Sequence, residues 1–120
     1  ADLERARDFI EERLARNDSW ILVAQHGDDL VGFSQLYPSF SSTHTSRIAI
    51  LNDLYVAAPA RRSGVAAALL LASQDLGRKL GLSALELSTA IDNTGAQALY
   101  RKYGWIRDTE FHVFSRSLTD

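Results

Sequence analysis

The chain has 120 residues, 13 Lys+Arg against 15 Asp+Glu, a formal net charge of -2, and neither cysteine nor methionine. That length suits one domain with a real core, and the balanced charge leaves no electrostatic footprint for nucleic acid. Without cysteine there is no disulfide, thiolate metal site or cysteine nucleophile, and His26, His44 and His112 share no metal-ligand spacing, so no metal is expected.

Residues 2–17 read as an amphipathic helix, with Leu3, Ala6, Ile10 and Leu14 along one face and Glu4, Arg7, Asp8, Glu11 and Arg16 toward water. Residues 20–25 (WILVAQ) and 30–37 (LVGFSQLY) read as strands, joined by the turn chemistry of Gly27, Asp28 and Asp29. Pro38 is expected to end the second strand, and 39–46 to form a polar loop. A longer strand follows at 47–56 (RIAILNDLYV), closed by Ala57, Ala58 and Pro59. The strongest helix spans 63–80: Val65, Ala68, Leu69, Ala72, Leu76 and Leu80 form its apolar stripe, Arg78 and Lys79 its last turn, and Gly81 its stop. A short strand at 85–88 precedes a helix capped by Asn93 or Thr94 and running to Tyr103, with Gly104 beyond it. Residues 105–106 and 111–118 read as two closing strands. The order α-β-β-β-α-β-α-β-β, without a repeat or an internal boundary, gives a mixed α/β (α+β) single domain over 1–120. No apolar run reaches the roughly 20 residues of a membrane span, and no signal-peptide core opens the chain. A cytoplasmic protein that stays off the membrane is the expectation.

The segment that carries chemistry is the junction of the 47–56 strand with the 63–80 helix. Amides in a helix's first turn have no intrahelical partner, and the macrodipole places partial positive charge there. Gly64 and Ala66 keep side-chain bulk away from that end, and Arg61 and Arg62 add fixed charge, so the junction can cradle a phosphate. The same residues also suit an ordinary strand-to-helix turn with surface arginines, and the spacing alone leaves the two readings level. Neither a Walker loop nor the G-x-G-x-x-G dinucleotide fingerprint is present.

Arg61-x-x-Gly64-x-Ala66 resembles the Arg/Gln-x-x-Gly-x-Gly/Ala signature of the GCN5-related N-acetyltransferase (GNAT) family. The resemblance extends upstream through LNDLYV (51–56) and downstream through Asp92-Asn93-x-x-Ala96-x-x-Leu99-Tyr100-x-x-x-Gly104-Trp105, and so covers nearly the whole chain. It implies a GNAT-like fold with a mixed central sheet, splayed where acetyl-CoA binds. It further implies that the pyrophosphate rests on the amides of Arg62, Ser63, Gly64, Val65, Ala66 and Ala67, with the Arg61 side chain nearby. The pantetheine arm then pairs with backbone groups of Leu54 and Val56, Asn93 contacts that arm, and an amide at Leu54 or Tyr55 faces the developing oxyanion. Tyr100 matches the family tyrosine near the thioester sulfur, where a phenol can protonate the departing thiolate. Its helical spacing with Leu99 and Tyr103 equally suits a core aromatic.

Asn52 and Asp53 stand where polyamine acetyltransferases, the branch this chain looks most like, carry an acidic pair. Asn52 cannot act as a base. Asp53 can receive a cationic amine, pass a proton through water, or simply pair with an arginine. The expected activity is acetyl transfer from acetyl-CoA to a small primary amine, polyamine-like or an amino acid, by direct attack. A peptide or protein N-terminal acetyltransferase and a non-catalytic acyl-CoA-binding module are the alternatives. The resemblance also suggests a homodimer through the closing strands. Relatives usually begin with a strand and a helix not seen here; with methionine absent, the family's first strand and helix are expected to be missing.

Overall fold

β2 (Ser19–His26) and β3 (Asp29–Ser41) form an antiparallel hairpin: along β3 the buried positions alternate at Gly32, Ser34 and Leu36, as a half-covered sheet requires, whereas β2 buries Leu22, Val23 and Ala24 in succession. This computed structural model describes residues 9–15, 19–41, 45–57 and 64–119. The chain forms two compact units, Ala1–Ser88 and Thr89–Asp120.

The first unit is a five-stranded sheet in the order β1-β2-β3-β4-β5, with β1 (Phe9–Ala15) outermost, then the hairpin, β4 (Ser46–Val56) and β5 (Ala84–Glu86). The pairs β1/β2, β2/β3 and β3/β4 are antiparallel and β4/β5 is parallel, so the sheet is mixed. The parallel crossover is α1 (Val65–Lys79), which lies on one face. Its expected stripe is the one that is buried: Ala68 is covered, and Val65, Leu69 and Leu76 pack with Leu22, Ala24, Leu36 and Ala49 of the sheet. Within this interface Ser73 donates from Oγ to the Leu69 carbonyl (2.8 Å), so the Ser34 hydroxyl, 2.9 Å away, donates to Ser73 Oγ. Both serines are fully buried and fully used. The helix ends in a Schellman arrangement, with Leu82 N–H on the Gly77 carbonyl and Gly81 N–H on that of Arg78.

Three expectations are corrected. Residues 9–15 form strand β1, not part of a helix, while 1–8 and 16–18 lie outside the described residues. The four-residue spacing of Ile10 and Leu14 is in phase with both periods, and seven consecutive register pairs with β2 decide for the strand. Pro38 does not end β3, which continues to Ser41 against β4. Among the described residues the register with β2 stops at Leu36, so Pro38 lies beyond it, where a missing donor costs little. Finally, residues 105–119 form no strand.

That last correction concerns the second unit, built around α2 (Thr94–Lys102). Asn93 caps it as expected, Oδ1 accepting from Ala96 N–H at 3.3 Å, and Gln97 Nε2 ties the preceding turn through the carbonyls of Ala90 and Ile91. Beyond Trp105 the hydrogen bonds turn local: Glu110 N–H meets Asp108 Oδ1, and Ser117 Oγ meets the Thr119 carbonyl. Side chains that compete for nearby backbone in this way disfavour a ladder, and Ile106, Val113, Phe114 and Leu118 stay exposed.

Candidate functional site

β5 pairs with β4 over three positions, Ile48 with Ala84, Ala49 with Leu85 and Ile50 with Glu86. Ser83 fixes the start of that pairing, its N–H on the Arg47 carbonyl at 3.0 Å and its Oγ 2.6 Å from Ser46 Oγ. β5 then ends, while β4 continues to Val56 with no strand on that side among the described residues. This is the splay that the resemblance implies.

The register identifies which backbone groups the open edge offers. Ala57 N–H bonds the Val31 carbonyl at 2.8 Å, and Tyr55 lies opposite Phe33. In an antiparallel ladder, residues that exchange bonds alternate with residues that turn outward. Tyr55 and Ala57 therefore face β3, and the N–H and C=O groups of Leu54 and Val56 face the open side. Of the two amides considered for the oxyanion, Leu54's points into the gap and Tyr55's is committed to β3.

At the far end of the crossover, Gly64 is the N-cap of α1 with φ 88° and ψ 5°, a left-handed conformation that a side chain resists. The first intrahelical bond runs from Ala68 N–H to the Gly64 carbonyl (3.0 Å), so the amides of Gly64, Val65, Ala66 and Ala67 have no carbonyl within the helix. Among the described residues no side chain caps this end and no acid lies in its first turn. A capping or acidic side chain would compete with an anion there. Val65 itself points into the core. Arg61, Arg62 and Ser63 lie outside the described residues, and Asp53 is placed by its backbone alone, opposite Gln35.

Tyr100 and Asn93 belong to the second unit. Tyr100 is half-buried, with its ring 6.0 Å from that of Trp105, whose N–H bonds the Tyr100 carbonyl. Burial pushes the phenol above the ordinary tyrosine value, so it holds its proton at neutral pH. Asn93 uses Oδ1 as the helix cap, which leaves Nδ2 as the group able to serve a ligand carbonyl. Among the described residues no three His, Cys, Asp or Glu cluster as a metal would require, and no helix is long and apolar enough to cross a membrane.

Two residues escaped the sequence reading. Gly32 faces α1 so closely that a Cβ there would lie 2.7 Å from the Tyr55 carbonyl oxygen and 3.0 Å from Val65 Cγ1. A glycine inside an apolar strand pattern was the one signal for such an approach. Phe33 stacks beside Tyr55, with ring centroids 5.8 Å apart, a pairing that only the register reveals.

The open strand edge suits an extended, amide-bearing arm and the bare helix terminus an anion, so the residues present fit acetyl-CoA. Comparison with known proteins agrees. Residues 2–105 match the model of the Acetyltransferase (GNAT) family. The uncharacterized N-acetyltransferase YhfO of Bacillus subtilis (strain 168) is 41% identical over 111 residues, which are 92% of this chain and 74% of that protein. A probable acetyltransferase of known crystal structure superposes with a TM-score of 0.78 at 40% identity, over 88% of this chain and 71% of that one. An aminoglycoside acetyltransferase from an uncultured soil metagenomic sample does so with a TM-score of 0.69 at 27% identity, over 87% and 70%. The chain belongs to the acetyltransferase (GNAT) family, whose members take their acyl group from acetyl-CoA.

Proposed function

We propose that this acetyltransferase acts on a small primary amine, polyamine-like or an amino acid, by direct attack of the amine on the thioester. The observation that carries the reading is the stretch of β4 beyond Ile50, open on the β5 side, where Leu54 and Val56 turn both backbone groups outward. The bound cosubstrate supplies an activated acyl carbon and a thiolate leaving group. Leu54 N–H donates to the acyl oxygen as negative charge develops there, and Leu54 and Val56 orient the arm as an added strand. The amides of Gly64, Val65, Ala66 and Ala67, together with Arg61, Arg62 and Ser63, hold the diphosphate. The new N–C bond forms as the C–S bond breaks. Tyr100, whose phenol is protonated at neutral pH and raised further by burial, gives its proton to the departing thiolate.

Asn93 Nδ2 serves the arm and Asp53 receives the amine, whose surplus proton leaves to water. The resemblance of LNDLYV (51–56) to the diamine branch supports the choice of acceptor. Dependence on acetyl-CoA favours the cytoplasm. The exposed apolar residues between Ile106 and Leu118 favour a homodimer, checked by sedimentation.

The test is thiol release from acetyl-CoA over a panel of polyamines, amino acids, aminoglycosides and short peptides. Turnover with a small amine, lowered roughly 100-fold in kcat by Tyr100→Phe, is expected of a general acid. Full activity in Tyr100→Phe refutes the acid role. Binding of acetyl-CoA without turnover of any amine would replace the enzyme reading with that of an acyl-CoA-binding module. Turnover confined to peptides would redirect it to protein N-termini.

A further inference from the structure

Between Leu54 and Val56, Tyr55 is turned the other way round. Its neighbours send their side chains against the core under α1 and their backbone groups to the open edge. Tyr55 commits its backbone to β3 and sends its side chain to the sheet face away from α1, where it is 50% exposed. Phe33 is directly opposite, flanked by Gly32 and Ser34, which face α1, so its ring shares the far face with that of Tyr55 at 5.8 Å. Next to this pair in the register come Gln35 and Asp53, and past the bulge Tyr37 and Ile50, the latter 38% exposed. Neither β3 nor the 48–56 stretch of β4 contains a lysine or an arginine.

A ring pair with one half-exposed member, here Tyr55, presents the negative face of its π-systems and attracts a cation more strongly as water is displaced. Here β3 and the 48–56 stretch of β4 bring no competing lysine or arginine to the strip. We infer that Phe33 and Tyr55 form a subsite for a second, protonated nitrogen of the acceptor, remote from the amine that is acetylated. The inference rests on the proposed reading that the Leu54–Val56 edge holds the acetyl donor, because that places the reacting carbon one residue from Tyr55. The two nitrogens then have opposite requirements: the attacking amine must be neutral, and the anchored one must stay charged. An acceptor with two amines is thereby selected over one in which a neutral group replaces the second.

The test compares 1,4-diaminobutane with 4-amino-1-butanol, which matches it in length but has a hydroxyl in place of the distal ammonium. Calorimetric binding to the CoA-saturated protein and the kcat/KM of acetyl transfer are both read. The wild type is expected to prefer the diamine by about tenfold, the size of a partly desolvated cation–π contact. Tyr55→Phe should retain that preference, and Tyr55→Leu should reduce it to within about twofold. Phe33→Leu should lower it part of the way, which keeps the idea testable if Tyr55→Leu folds poorly. No preference in the wild type, or an undiminished preference in both leucine variants, overturns the subsite. If binding follows the rings but neither compound is acetylated, the subsite stands and the amine-acetyltransferase reading fails. If both compounds are acetylated without ring-dependent selectivity, the amine-acetyltransferase reading stands and the subsite fails.

Discussion

Gly32→Ala probes the fold and the site through one methyl group. The added Cβ would lie 2.7 Å from the Tyr55 carbonyl oxygen, 3.0 Å from Val65 Cγ1 and 3.1 Å from Leu69 Cδ1. The closest atom is backbone, already accepting from Phe33 N–H in the ladder, so no rotamer change relieves it. Val65 and Leu69 are fully buried and have no space to retreat. Overpacking of this kind costs about 1–3 kcal/mol, and the rigid carbonyl puts this site at the upper end. For a chain of this length, about 3 kcal/mol lowers Tm by on the order of 10 °C. Relief on the helix side requires the first turn of α1, which Val65 opens, to lift from the sheet as a unit. Acetyl-CoA affinity should therefore fall at temperatures where the variant is still folded. Gly81→Ala is the control: Gly81 has φ 73° with nothing within 4 Å of a Cβ, so backbone strain of about 1–2 kcal/mol should appear without loss of affinity. Thermal unfolding and calorimetric titration with acetyl-CoA measure both quantities. A Gly32→Ala protein within about 0.5 kcal/mol of wild type would refute the packing argument. One that is destabilised but binds normally would refute the link to the helix turn.

The buried serines predict a strongly non-additive cycle. Ser73→Ala strands the Ser34 hydroxyl without an acceptor and should cost about 1–3 kcal/mol, Ser34→Ala should cost about 1 kcal/mol, and the double variant less than their sum; denaturant unfolding decides. Gly64→Ala and Gly64→Glu meet the same left-handed strain of about 1–2 kcal/mol, but the carboxylate also opposes a bound diphosphate. Acetyl-CoA affinity should thus fall about tenfold further in Gly64→Glu, and equal affinities would count against the anion site. For Tyr100 burial raises the phenol, so the donating form is lost at more alkaline pH than in an ordinary tyrosine. Any Tyr100-linked decline in wild-type kcat should have its midpoint above pH 10 and should vanish in Tyr100→Phe. A limb well below pH 10 that Tyr100→Phe removes would contradict the burial argument.

What was legible in the sequence depended on how local its cause is. The stripe of α1, its Gly81 stop and the Asn93 cap are set by residues within one or two turns, and all three were readable. The Arg61 to Ala66 signature, equally local, pointed to the family that the comparisons show. The strand at 9–15 was misread because spacings of four serve a helix and a strand alike, and the deciding partner, β2, starts four residues further on. The tail was misread in the opposite sense: β-prone residues at 111–118 have no ladder, since propensity without a partner strand does not make one. The open edge of β4 was not legible from its own residues, because it exists through the early end of β5 at Glu86.

The point where simple alternation fails is also where the site is built. Leu51 is buried and Leu54 packs against the same core, yet residues three apart in a regular strand face opposite ways. The register resolves this: Leu36 pairs with Leu51 and Gln35 with Asp53, so the register shifts by one residue at Asn52. The bulge resets the phase of β4, keeping Leu51 and Leu54 on the core side while turning Tyr55 to the far face beside Phe33. Alternation counted through Asn52 therefore predicts the wrong neighbours for everything downstream of it. The shift also fixes which amides reach the open edge, since without it Tyr55 and not Leu54 would face outward. A single inserted residue thus couples three outcomes: a continuous core under α1, an outward pair of amides at Leu54 and Val56, and an aromatic pair on the opposite face. That coupling is the physical reason to look for donor binding and acceptor selection on the same six residues of β4.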